Sequence, residues 1–201
     1  MEPILHGIIL AFGLILPLGV QNVFVFTQGV MQPSVIRALP AAVTAAICDT
    51  ILIMLASLGL SIIVLQFEWL RFVLLIGGII FLIYMGFVIW RSNVTALDDK
   101  EALPIKKQIV FALSVSLLNP HALLDTIGVI GTNAVKYSGQ EQWLFIFACI
   151  LISWLWFFSL MTTGALLKKM QISSVIFTLF NKLSAIFIWG TAFYLFISLL
   201  K

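Results

Sequence analysis

Six apolar runs take up almost all of this 201-residue chain, at about 4–30, 38–64, 69–90, 108–134, 143–167 and 180–200. A helix needs roughly 20 apolar residues to cross the hydrocarbon core of a bilayer, and each run is long enough. A soluble domain carries about one-quarter charged residues. Here 62% of residues are hydrophobic and 9% charged, with a mean hydropathy of +1.18. That excludes a water-soluble monomer and leaves no room for a second domain. The expected architecture is all-α: one polytopic membrane domain over residues 1–201 of six transmembrane helices, with the lipid bilayer as its partner.

The first run reads as a spanning helix. Met1-Glu2-Pro3 lacks the positive charge of a signal peptide, and the run is too long for one. The net charge of +3 does not point to nucleic acid, because the basic residues are scattered at helix ends, where they set topology. With six spans, Arg37, Arg91, Lys100, Lys106, Lys107, Lys168, Lys169 and Lys182 fall on one side, and Arg71, Lys136 and Lys201 on the other. The positive-inside rule then makes the first side cytoplasmic and places both termini outside. Cys48 and Cys149 lie in apolar helix and read as unlinked buried residues.

Two runs are interrupted. The first contains Leu16-Pro17-Leu18-Gly19-Val20-Gln21-Asn22, and the fourth contains Asn119-Pro120-His121-Ala122-Leu123-Leu124-Asp125. Proline removes a backbone donor and clashes with the preceding turn. Asn119 before Pro120 reads as an N-cap with proline at the first helical position. An offset of 103 residues superposes Pro17 on Pro120 and Asn22 on Asp125. The charged stretch near residue 100 then separates two halves of three helices: repeat one over 1–90, a linker over 91–107 and repeat two over 108–201. Three is odd, so the second half enters the bilayer from the opposite face. The expectation is two inverted three-helix repeats with broken helices 1 and 4, a pattern that marks a transporter's binding site.

Asp49 and Asp125 stand inside apolar runs. A charge at that depth is costly and faces a polar pathway sooner than lipid. Ala42, Ala45, Ala46, Ile53 and Ala56 share a helix face with Asp49, and small residues mark close helix packing in membranes. Both carboxylates, with His121 beside the second break, are candidates for proton coupling. The broken ends near Gly19 and Pro120 expose unpaired N–H groups and a positive dipole end. Half-helix ends beside carboxylates suit a small zwitterion such as an amino acid. The candidate binding residues are therefore Gly19, Gln21, Asn22, Asp49, Asn119, Pro120 and Asp125. There is no nucleophile pattern, Walker loop, dinucleotide fingerprint or zinc spacing. The chain thus reads as no enzyme, with no cofactor and no metal.

Gly19-Val20-Gln21-Asn22-Val23-Phe24-Val25-Phe26-Thr27-Gln28-Gly29 resembles the first-helix motif of the lysine/arginine exporter (LysE/ArgO) family. Cys48-Asp49 resembles its second-helix cysteine–aspartate, and Leu118 to Thr126 its fourth-helix motif. The resemblance implies a secondary exporter of amino acids, basic ones above all, in the bacterial inner membrane and driven by the ion gradient. By position it carries over to Gln21, Asn22, Asp49, Asn119, Pro120 and Asp125. Thr27 stands where the family often has arginine, Leu123 where tyrosine is common, and Val20 where it has alanine.

Two other readings stand beside export of amino acids. Intramembrane carboxylates also suit a divalent cation, although further oxygen ligands are scarce. A thiol–disulfide carrier would need cysteines at the helix breaks, and neither Cys48 nor Cys149 is there. The small size would suit a homodimer, for which no residue pattern speaks.

Overall fold

The computed structural model describes residues 1–17, 19–60, 68–91, 102–117, 119–169 and 174–199. Most of the linker, the stretch 171–173 and Lys201 lie outside them. Among the described residues every regular element is helical. The first run forms α1 (Glu2–Ile15) and α2 (Val20–Met31), bent by 79° at the break. The second forms α3 (Val35–Leu55), begun by Ser34, whose Oγ accepts from the Arg37 N–H. A wider turn, Ala56–Leu60, prolongs it until Gly59, at φ 110°, ends it in a conformation that glycine tolerates.

The third run is α4 (Glu68–Trp90). The fourth is α5 (Ile105–Leu117), then α6 (Pro120–Asp125), which continues through a π-helical turn, Thr126–Gly131, into Thr132–Ala134. The fifth and sixth are α7 (Gln140–Lys169) and α8 (Ser174–Leu199). Both breaks fall where proline was expected to put them. Several helices start a few residues before the expected runs, and two of these starts have a clear local reason. α5 starts directly after Pro104, whose carbonyl takes the Lys107 and Gln108 N–H groups. α8 starts at Ser174, because no proline or glycine stops a helix between there and residue 180. Val35–Gly59, Gln140–Lys169 and Thr178–Ile197 are each long and apolar enough to cross a membrane, and the bent pair α1–α2 makes a fourth if counted as one span.

α7 is the spine. It packs against α1, α2 and α3, while α3 also packs on α5, and α4 pairs with α8. Glycines allow the closest approaches. A Cβ on Gly29 would strike the Met161 carbonyl, and one on Gly164 would strike the Phe26 carbonyl, so α2 and α7 touch backbone to backbone. Gly86 makes room for the Trp189 indole between α4 and α8. Gly77, by contrast, has open space where a Cβ would go and is no packing point. The face of α3 around Asp49 is buried as its small residues suggested, with Ala42, Ala45, Ala46 and Ala56 at 0% exposure.

Replacing Gly164 by valine should therefore separate α2 from α7 and destabilise the protein by about 1–3 kcal/mol, the usual cost of overpacking. Gly13→Ala, at a position facing open space, should leave the thermal midpoint in detergent nearly unchanged.

Candidate functional site

The two helix breaks open into one cavity of about 110 Å³. Its polar wall is made by Gly19, Gln21 and Asn22 at the first break, Asp49 on α3, Asn119, Asp125 and Thr126 at the second break, and Ser153 on α7. Ala11, Leu14, Ile53, Leu82, Ile130 and Ile188 supply much of the apolar remainder. Six of the seven candidate binding residues thus border one space. The seventh, Pro120, begins α6. The side chains of Pro120 and His121 lie outside the described residues.

Asp49 is held by neutral donors. Gln21 Nε2 donates to its Oδ1 at 3.0 Å, and Ser153 Oγ donates to its Oδ2 at 3.0 Å. Among the described residues no lysine or arginine pairs with it. Each carboxylate oxygen has capacity for a further donor, and the residue borders the cavity. A cationic group entering there would meet a fixed, pre-oriented carboxylate in a medium that screens little. Asp125, partly exposed, faces the same space from α6.

Asn22 has a different occupation. Its Nδ2 donates to the Ile15 and Pro17 carbonyls, each at 2.8 Å, and its Oδ1 accepts from Trp156 Nε1 at 3.3 Å. Both amide hydrogens are spent on carbonyls that the break has released from helical pairing. Asn22, which also borders the cavity, thereby ties the first break together. Asn119 occupies the N-cap position of α6 as expected, but its side chain makes no capping hydrogen bond. Its buried Oδ1 has no hydrogen-bond partner among the described residues, so it is the polar atom at this break with capacity to spare.

The positive end of α2 adds to the wall. Gly19 is its N-cap in extended conformation, and the Gly19 carbonyl accepts from Val23 N. The N–H groups of the first turn are left without helical partners. A Cβ at Gly19 would meet nothing within 4 Å, and Gly19 itself borders the cavity.

Ser153, Trp154 and Trp156 were not among the candidates. Trp154 Nε1 donates to Thr50 Oγ1 at 3.0 Å. Asp49–Ser153 and Thr50–Trp154 share a separation of 104 residues, one more than the offset between the breaks. That spacing was a usable signal. Cys48 and Cys149 are free and buried, and Cys149 borders the cavity. Among the described residues no three His, Cys, Asp or Glu side chains gather as a metal site would need.

Helices that can span a bilayer, broken at two places around a cavity bordered by two carboxylates, define a polytopic membrane protein with an internal polar site. The sequence pattern of the LysE type translocator family matches residues 12–199. The chain belongs to that family, and it is a multi-pass protein of the cell membrane. A Bacillus subtilis (strain 168) protein named "Putative amino-acid transporter YisU" is 52% identical over 99% of this chain and 91% of its own length. "Arginine exporter protein ArgO" of Salmonella paratyphi B is 31% identical over 94% of this chain and 91% of its own. ArgO of Shigella flexneri is 33% identical over 80% and 77%. No solved structure matches the chain. The family is one of transporters and not of enzymes.

Asn22→Ala should lower the thermal midpoint in detergent with no substrate present, since it removes two hydrogen bonds at the break and leaves the Pro17 carbonyl only the Gly19 N–H, a loss of about 1–3 kcal/mol in all. Ser153→Ala, which leaves Asp49 with one donor fewer, should leave that midpoint within a few degrees of the parent.

Proposed function

We propose that this protein is a secondary exporter that moves amino acids, basic ones above all, outward across the bacterial inner membrane. The observation that carries the reading is the Asp49 carboxylate, bordering the cavity and held among the described residues by the neutral donors Gln21 and Ser153. A carboxylate without a cationic partner at this depth has two good solutions, a proton or a cationic substrate. Exchange between the two couples export to the proton gradient. Asp49 and Asp125 are the coupling groups in this reading, with His121 as a third candidate. The α-ammonium or side-chain cation goes to the aspartates. The α-carboxylate goes to the first turn of α2, whose N–H groups and dipole favour an anion. Gln21, Asn119 and Ser153 supply neutral hydrogen bonds, and Asn22 and Pro120 shape the two breaks.

The packing supports an inverted repeat of six spans as the machinery of alternating access. Under that repeat, run 1 corresponds to run 4 and run 2 to run 5. The contacts are swapped accordingly: α1 and α2 lie on α7, and α3 lies on α5, while α4 lies on α8, its own counterpart. The pairs Asp49–Ser153 and Thr50–Trp154 join near-equivalent positions, as residues beside a two-fold axis do. The ArgO relatives support arginine as the substrate to try first.

The test is efflux of preloaded labelled arginine and lysine from proteoliposomes under a proton gradient. Asp125→Asn should reduce gradient-driven efflux by at least about 100-fold, as loss of a coupling group would, with membrane insertion intact. Asp49→Asn should weaken arginine and lysine binding more than that of a neutral amino acid. Efflux of neither by well-inserted protein would exclude basic amino acids as substrates, and full efflux by Asp125→Asn would remove that residue from the mechanism.

A further inference from the structure

Three glutamines far from the cavity are almost wholly buried: Gln28 and Gln32 at 2% exposure and Gln108 at 1%. All three converge on the end of the bundle that carries Arg37, Lys106, Lys107, Lys168 and Lys169. Gln32 Nε2 donates to Gln28 Oε1 at 3.1 Å and to the Leu103 carbonyl at 2.9 Å. Gln108 Nε2 donates to the same Leu103 carbonyl at 2.9 Å and to the Arg37 carbonyl at 3.0 Å. Lys168 Nζ closes the group by donating to the Gln32 carbonyl at 2.8 Å.

Each amide nitrogen has two hydrogens and a carbonyl accepts two bonds. Both nitrogens and the Leu103 oxygen are therefore filled. The members come from two helix pairs, which also meet where α3 packs on α7 and on α2. Gln28, Gln32 and Lys168 belong to the pair α2–α7, locked together by Gly29 and Gly164. Arg37, Leu103 and Gln108 belong to the pair α3–α5. Most of these bonds thus stay within one pair. The bond from Gln32 to Leu103 joins the two, and the Phe24–Phe111 ring contact at 4.4 Å lies across the same seam.

None of these residues borders the cavity, whose wall instead includes Ile53, Ile130 and Cys149 toward the other ends of their helices. The cavity is offset away from the basic end, and the glutamine group lies between it and that face. Gln108 Oε1, buried and without a partner among the described residues, leaves the closed group short of full satisfaction, which suits a contact that must also open.

We propose that the Leu103 carbonyl is the closing point of the gate on the basic face, and that access to the cavity from that face requires Gln32 to leave it while Gln108 keeps it. The inference rests on the transport reading above. It adds that the segment entering α5 from the linker is part of the gate.

The experiment measures access from each side. A reporter thiol, Ala122→Cys on the cavity wall, is placed in a Cys48→Ala/Cys149→Ala background. Its labelling by a membrane-impermeant maleimide is timed in inside-out and right-side-out vesicles. Gln32→Leu should speed labelling from the basic face roughly three- to tenfold, the population shift expected from losing one ordinary hydrogen bond. Gln32→Asn, which keeps the amide but is one methylene too short for Leu103, should do the same with little disturbance of the fold. Gln142→Leu, which removes a bond to the Ser57 carbonyl at the opposite end, should not. Unchanged labelling in both Gln32 variants, or an equal rise with Gln142→Leu, would overturn the gate. Efflux measured in the same vesicles separates the two claims. Altered labelling with no efflux of any amino acid discards the transport reading, and efflux with unaltered labelling discards only the gate.

Discussion

Everything in this structure depends on one side-chain amide standing in for broken helix. Pro17 interrupts the first span, and the Ile15 and Pro17 carbonyls lose their helical partners beside the cavity. Irregular backbone survives there only if protein groups satisfy it. Asn22 does so from the first turn of α2, taking both carbonyls at once. Trp156 on α7 holds the amide from its other side. The break can thus stay bent by 79°, and the bend opens the space that Gln21, Asp49 and the second break share.

A bent helix has to lean on a straight one. α7 serves that purpose because glycine removes side chains where the backbones meet, at Gly29 and Gly164. Weak directional forces then suffice to place the polar groups. Ser153, on the same helix, reaches Asp49, and Gln21 reaches it from α2. The carboxylate ends in a fixed orientation with no cation paired to it among the described residues, so its charge is available to a ligand or a proton. A paired lysine or arginine in that position would have made it an inert structural group.

Much of this was legible in the chain. The apolar runs located the helices, and proline located both breaks. The alanine face of α3 showed that Asp49 points into the bundle. The motifs around Gly19, Asp49 and Asn119 placed the chain in its family. Some features were not legible. Asn22 and Asn119 look alike in sequence, yet the amide of one is taken by backbone, while the buried oxygen of the other has no hydrogen-bond partner among the described residues. Ser153 is one serine in an aromatic run, and only its position opposite Asp49 gives it a role. Gln28, Gln32 and Gln108 sit at helix ends, where polar residues ordinarily face water. Their burial depends on the 102–104 segment folding back over α2 and α3.

By itself the sequence determined the solvent, the helices, the breaks and the identity of the intramembrane charges, because each follows from local composition or from a residue that cannot continue a helix. The tertiary structure decided which polar group faces which. Helix pairing sets those relations across separations of 71 to 136 residues, from Gln32–Leu103 through Asp49–Ser153 to Lys168–Gln32. A hydrogen bond depends on position within a few tenths of an ångström, and no local pattern in the chain carries information of that precision.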